Sequence, residues 1–451
     1  MTRRHGTALL CAIVALVAVV SAGLYVSVAG TGLGTGGSGA RAAAAPPDSA
    51  APASTGLWVG TWSAAPSGTE PGTATDGLAG RSVRNVVHTS VGGTSARVTL
   101  SNLYGAAPLT ITHASLAVAD PSGTATARPD SMRRLTFGGA PRVVIPAGGQ
   151  VVSDPARVAI PADGDVLVTT FSPVPSGPVT VHHQARQISY VADGDRTESV
   201  SGAPYTGRVP YWRYLTALDV LGHGADGTVV VFGDSITDGS ASTVGANRRW
   251  PDVLADRLRA AAEEGREVPR YGVVNAGISG NQVLADGPGR PAQNPSGLAR
   301  FGRDALGRSG VRVVVIDLGI NDILRAPRLA DSERVLAGLR TLVRQAHARG
   351  LRVVGATLMP FGGHHGYSAA REAVRQRINA EIRAGHVYDA VTDFDAALRD
   401  PYDPRRLRSE YDCGDHLHPS DLGYRRMAQS FDLRLLTSGA EGALSVAGAR
   451  T

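Results

Sequence analysis

The sequence predicts an α/β domain built on a parallel sheet, preceded by an all-β sandwich. Three observations carry this expectation. From Gly227 onward, apolar β-branched runs alternate with helical segments, the mark of a parallel sheet covered on both faces. From about Leu57 to Leu221, short strand-like runs follow one another between Gly, Pro and Asp punctuation. The length of 451 residues exceeds what one hydrophobic core usually supports, so two globular units plus some non-globular sequence are expected.

Taken in order, residues 1–29 have the layout of an export signal. Arg3, Arg4 and His5 precede an apolar stretch from Ala8 to Val28. Cleavage after Ala22 fits the small-residue rule; left uncleaved, a run of this length is long enough to anchor the chain in a bilayer. The paired arginines suggest a twin-arginine signal, but His5 and Gly6 stand where a hydrophobic residue is expected. Residues 30–55 are Gly, Ala, Pro and Ser with almost no large apolar side chain, which reads as a flexible linker.

Residues 56–222 form the expected sandwich, of a jelly-roll-like kind. Ser82 to His88 and Ala96 to Leu100 flank a Gly92-Gly93 turn, and Val143 to Ile145, Val151 to Val152, Val166 to Phe171 and Val179 to Val181 follow. Residues 226–436 form the α/β domain, with strands at Thr228 to Phe232, Tyr271 to Asn275, Val311 to Asp317 and Val353 to Leu358. A helix from about Ser332 to Arg349 carries Val335, Leu339, Leu342, Val343 and Ala346 on one face. Another opens at Pro251, and a last one follows Pro419 with Ser420 as its cap and Tyr424, Met427, Phe431 and Leu435 inward. Residues 437–451 return to Gly and Ala and read as a disordered tail.

Composition removes several function classes. Hydrophobic residues at 43% and charged residues at 19% describe a chain able to bury sizeable cores. The net charge of +6 is spread as scattered arginines with no basic run, which argues against a nucleic-acid partner. All 45 basic residues are arginine, so a Walker-type phosphate loop and Schiff-base chemistry are excluded. Cys11 lies in the leader and Cys413 stands alone in the body, so a chain that has lost the leader forms no internal disulfide.

The chemistry concentrates just past the predicted strands. The strand ending at Phe232 runs into Gly233-Asp234-Ser235-Ile236-Thr237-Asp238-Gly239, and the carboxyl ends of parallel strands are where ligands bind. Ala276-Gly277-Ile278-Ser279-Gly280-Asn281 follows the second strand, Leu318-Gly319-Ile320-Asn321-Asp322 the third, and Asp415-His416-Leu417-His418-Pro419 lies near the end. In all four blocks and their order, the stretch from about Thr228 to Leu436 resembles the SGNH hydrolase superfamily of GDSL esterases and lipases. The one departure is Ser-Ile where the family's name implies Ser-Leu.

The resemblance implies a flavodoxin-like doubly wound sheet, the SGNH hydrolase fold. It further implies Ser235 as nucleophile, His418 as its base and Asp415 as the group orienting that base. The Ser235 N–H, Gly280 and Asn321 are the implied oxyanion-hole donors. The residue types suit these roles: a serine hydroxyl needs a histidine to take its proton, and a tetrahedral oxyanion needs donors aimed at it in advance. The sandwich resembles, more loosely, the β-rich domain found before the esterase domain in some secreted bacterial members.

The expected protein is therefore an exported serine esterase acting through an acyl-enzyme on Ser235, its substrate a small-molecule or polysaccharide ester such as an acylated carbohydrate. A lipase, a lysophospholipase or an acyltransferase would use the same site, and a non-catalytic carbohydrate-binding protein is the alternative of another class. No cofactor and no metal are expected, and a membrane is involved only if the leader is retained. His416 is read as a neighbour of the pair, Cys413 as incidental, and Asp238 and Asp322 as loop carboxylates bonding local backbone. His182-His183 and His364-His365 lack a third ligand at zinc-like spacing. Trp58, Trp62, Tyr104 and Tyr190 are read as core aromatics before sugar-stacking ones, and Trp212 and Tyr214 as packing at the domain boundary.

Overall fold

The computed structural model describes residues 56–222, 224–287, 294–326 and 328–437. The leader, the linker and almost all of the expected tail lie outside these residues. Among the described residues, no helix is long and apolar enough to cross a membrane.

In the α/β half, five parallel strands are β1 (Gly227–Gly233), β2 (Tyr271–Gly277), β3 (Val311–Asp317), β4 (Arg352–Ala356) and β5 (Ala390–Thr392), arranged β2-β1-β3-β4-β5. This is the flavodoxin-like order, whose topological switch lies between β1 and β3. Val229, Val230, Val231 and Phe232 are consecutive and fully buried. Successive strand side chains point to opposite faces, so both faces are covered, which explains why the sequence reads as an unbroken apolar run.

The helices include α1 (Ser235–Asp238), α2 (Trp250–Glu263), α3 (Ile320–Arg325), α4 (Ser332–His347), α5 (Ala369–Arg383) and α6 (Asp421–Ser430). Helix α4 buries Val335, Leu339, Leu342, Val343 and Ala346, the expected stripe. Asp331 caps it by accepting from the Glu333 N–H. Ser420 caps α6, accepting from the Gly423 N–H at 3.2 Å. Helix α6 ends at Ser430, so Phe431 and Leu435 reach the core from beyond it. α5, with a mean hydropathy too polar for a clear stripe, is absent from the sequence-based expectations; it still buries Val374, Ile378 and Ile382.

The N-terminal half has two main antiparallel sheets of five and six strands, with a three-stranded sheet that includes Thr180–His182 and a two-stranded one beside them. Val59, Val98, Leu100, Leu218 and Val220 of one meet Val83, Val87, Leu116, Val166 and Val168 of the other in a shared core. The strands Arg81–Thr89 and Gly93–Ser101 do not pair with each other; the Gly92-Gly93 turn carries the chain from one sheet to the other. Trp62, Tyr190 and Trp212 are buried.

The two halves belong to one compact unit. The strand Leu57–Ser63 lies against β1 and β2: the Gly60 N–H donates to Thr228 Oγ1 at 2.9 Å, Ser63 Oγ to the Asn275 carbonyl at 3.0 Å, and the Val273 N–H to Ser90 Oγ at 3.0 Å.

Candidate active site

Four segments meet at the carboxyl end of the sheet. Ser235 is the first residue of α1, two positions past the end of β1, and Asp234 caps the helix by accepting from the Ile236 N–H at 3.0 Å. The turn after β2 holds Gly280, tied to β1 by the Ile278 N–H donating to the Gly233 carbonyl at 3.1 Å. Asn321 lies in α3 just past β3, and Asp415 and His418 lie in the segment that enters α6.

His418 Nε2 is 2.8 Å from Ser235 Oγ, and His418 Nδ1 is 2.6 Å from Asp415 Oδ2. A carboxylate only accepts, so Nδ1 carries the proton in the neutral ring and Nε2 is left to accept the serine's. The other Asp415 oxygen accepts from the backbone N–H groups of Leu417 and His418 at 2.9 and 2.8 Å. Partial burial would raise the Asp415 pKa, but these hydrogen bonds and the His418 charge prevail and bring it down to about 2. The Asp415-x-x-His418 spacing thus works as one turn that fixes its own histidine.

His416 is bound elsewhere, its Nδ1 2.6 Å from Asp412 Oδ2. Cys413 is exposed, and its thiol is pushed up, first by burial of the sulfur side and then by Asp415 and Asp412. Asp412, Cys413 and Asp415 have ligand atoms within 4.8 Å of one another, but each of the two carboxylates already holds a histidine.

The residues expected as further donors, Gly280 and Asn321, both lie against Arg325. The backbone N–H groups of Ser235 and Gly280 meet no acceptor among the described residues, and the buried Asn321 amide faces Asp234, the residue before Ser235. Gly280 has φ +78°, a conformation that calls for glycine, and a Cβ there would come within 2.9 Å of Arg325 Nη2 at the tip of that side chain. Arg325 Nε donates to Asn321 Oδ1 at 3.2 Å.

Several contributors escape sequence reasoning because their partners lie far along the chain. Arg300 is fully buried beneath the site and donates to the carbonyls of Gly233 and Ala276, at the ends of β1 and β2, at 2.8 and 2.7 Å. Burial brings its pKa down to about 10 against the pull of Asp304. Asp238 and Asp322, expected to bond local backbone, instead brace the stretch from Ser279 to Leu284 from a distance. Asp238 Oδ2 accepts from the Ser279 N–H at 2.9 Å, and Asp322 accepts from Val283 and Leu284 at 2.7 and 3.0 Å. The two sit in helices that flank the turn, which the sequence around each does not reveal. His182, weighed above as a metal ligand, faces Asp238 with Nε2 at 2.9 Å. His364 and His365 stack on each other with ring centroids 4.0 Å apart.

A doubly wound α/β fold with a serine, a histidine and a carboxylate brought into contact at the carboxyl end of its sheet fits an ester hydrolase. Residues 231–426 match the GDSL-like lipase/acylhydrolase family. The α/β domain belongs to that family, within the SGNH hydrolase superfamily. No curated protein matches the chain. Among solved structures, a G-D-S-L family protein of Desulfitobacterium hafniense is 20% identical, covering 46% of this chain and 98% of its own with a TM-score of 0.35. A GDSL-like lipase of Bacteroides thetaiotaomicron is 19% identical over 45% of this chain and 85% of its own, with a TM-score of 0.32. An acetyl xylan esterase of Geobacillus stearothermophilus is 23% identical over 47% of this chain and 95% of its own, with a TM-score of 0.35.

Proposed function

We propose that this protein is an exported esterase that cleaves short acyl groups from polar alcohols, such as acylated carbohydrates, through an acyl-enzyme on Ser235. The observation that carries the mechanism is the 2.8 Å contact between His418 Nε2 and Ser235 Oγ, with Asp415 behind the ring. Ser235 Oγ attacks the ester carbonyl carbon while its proton passes to His418 Nε2. The carbonyl oxygen becomes an oxyanion among the N–H groups of Ser235 and Gly280 and the Asn321 amide. Collapse breaks the ester C–O bond, and the leaving alcohol takes the proton from His418. Water then gives its proton to His418, attacks the acyl carbon and releases the carboxylic acid, with Ser235 recovering the proton.

The surroundings support a polar substrate. A cavity of about 280 Å3 is lined by Gly362, Gly363, His364, Tyr367, Asp403, Arg405 and Arg406, with Gly363 against the His416 ring. A long acyl chain would need an apolar channel, and hydroxyl-rich groups suit this lining. Of the sandwich aromatics weighed for sugar stacking, Trp62 and Tyr190 are buried, whereas Trp58 and Tyr104 are half-buried, Trp58 with the Arg97 guanidinium over its ring. Export rests on the apolar N-terminal segment alone.

The test is Ser235→Ala assayed with acetyl and long-chain esters and acetylated polysaccharide. Turnover should fall by about 10⁴ to 10⁶ with the fold intact, and wild type should prefer acetyl esters. An organophosphonate should label wild type at Ser235. A folded variant retaining a tenth of wild-type turnover would remove Ser235 from the mechanism, and a preference for long chains would remove the substrate class.

A further inference from the structure

His182 takes no part in the reaction just described, yet it is the buried link between the sandwich and the site. It ends the short strand Thr180–His182, and its side chain is 4% exposed. Nδ1 lies 2.7 Å from the Ala65 carbonyl oxygen and Nε2 lies 2.9 Å from Asp238 Oδ1. Both neighbours are acceptors, so both ring nitrogens donate, and the ring is an imidazolium. Burial alone would lower its pKa and the nearby Arg249 works in the same direction, but the charge and hydrogen bond of Asp238 prevail and raise it. Trp212 covers the ring at 5.5 Å between centroids, and Arg249 lies over the far side of Trp212.

Asp238 is the last residue of α1, on the same four-residue helix as Ser235. While one of its oxygens holds His182, the other accepts from both the N–H and the Oγ of Ser279, at 2.9 and 2.8 Å. Ser279 precedes Gly280 directly, so the direction of the Gly280 N–H is set by a peptide whose neighbour is fastened to Asp238. A carboxylate without His182 would be a buried unpaired charge, free to rotate away from Ser279.

We propose that His182 is a positioning residue for ester hydrolysis: through Asp238 it holds the Ser279-Gly280 turn, and so aims the Gly280 N–H at the forming oxyanion. The sandwich is on this view a working part of the active site. A buried pair serving stability alone would lower the melting temperature on removal and leave turnover per folded site unchanged. A positioning pair changes kcat on the folded enzyme, because the donor is misaimed only where charge develops.

The inference rests on the oxyanion role given to Gly280 above. It is tested in the full chain with H182Q, S279A and the double variant, each normalised to sites titrated by an organophosphonate. Misaiming a donor costs less than deleting one, so H182Q and S279A should each lower kcat for an acetyl ester about tenfold with KM within about twofold. The double variant should lose little beyond the worse single one, since both act through the same turn. Normal kcat in folded H182Q, or losses that multiply in the double variant, would overturn the proposal. Should H182Q fail to fold, S279A decides, because it leaves the buried pair in place: a tenfold loss supports the proposal and normal kcat overturns it. If Ser235→Ala keeps turnover, the catalytic reading itself falls; if Ser235→Ala is dead while H182Q is normal, only the role of His182 falls.

Discussion

Asn321 presents its amide nitrogen to the site because Arg325 cannot accept a hydrogen bond. A guanidinium only donates, so its Nε facing the side chain at 3.2 Å selects Oδ1 and leaves Nδ2 as the donor end, on the side of Asp234. As an oxyanion donor Asn321 bonds the developing charge more strongly than the ground-state carbonyl, so Asn321→Ala should lower kcat by about 10² to 10³ with little change in KM. Asn321→Asp keeps the shape and places a carboxylate against the negative oxygen, and should be at least as damaging. Measuring melting temperature beside kcat for the two decides the matter: near-normal kcat in folded Asn321→Asp would take Asn321 out of the site. Asn321 is legible in the sequence because it falls just past a strand end within a family block. Arg325 is not, because nothing in one turn of helix says that its side chain folds back over a glycine from another strand.

Helix α1 is four residues long and every one of them is buried, so it is held by what surrounds it and not by helix propensity. Asp234 caps it, and Asp317 at the end of β3 accepts from Thr237 Oγ1 at 3.1 Å. These two carboxyls share one dry pocket. Burial raises both, Asp234 well above the usual range with the Asp317 charge adding to it, and Asp317 up to about 7. A carboxyl whose folded pKa lies above its unfolded value keeps a proton that the unfolded chain has lost. Its effect is to make stability fall as pH rises from about 4 toward 7. Asp317→Asn retains an acceptor for Thr237 and removes that titration. The melting temperature of the variant relative to wild type should therefore rise steadily between about pH 4 and 8; a gap that does not change with pH would show that Asp317 is not protonated in the folded protein. The helical stripes and the strand runs were readable because they repeat locally. A carboxyl pair formed by residues from two strands is not, since each aspartate alone looks like a loop residue.

At the scale of the whole molecule, the change of pattern at Gly227 marks a change of architecture, whereas the contact across it is invisible in the sequence. Two backbones pass so closely that a Cβ on Gly272 would lie 2.1 Å from the Gly60 carbonyl oxygen. With the Thr228, Asn275 and Ser90 bonds and the buried His182-Asp238 pair, this contact predicts that the sandwich and the α/β half unfold as one cooperative unit. The tryptophans make this measurable. Three of the four, Trp58, Trp62 and Trp212, lie in the sandwich and only Trp250 in α2, so fluorescence weights the sandwich. Helical circular dichroism reports the other half, because the described sandwich holds only one short 3-10 turn, Pro129–Ser131. The two signals should melt together in wild type. Gly272→Ala forces the backbones apart and should cost about 1–3 kcal/mol, moving both midpoints down in step because the damage lies in the shared interface. Midpoints that separate in wild type, or a Gly272→Ala shift confined to one signal, would mean that the halves are independent domains in contact, and the sandwich would lose its claim to stabilise the site.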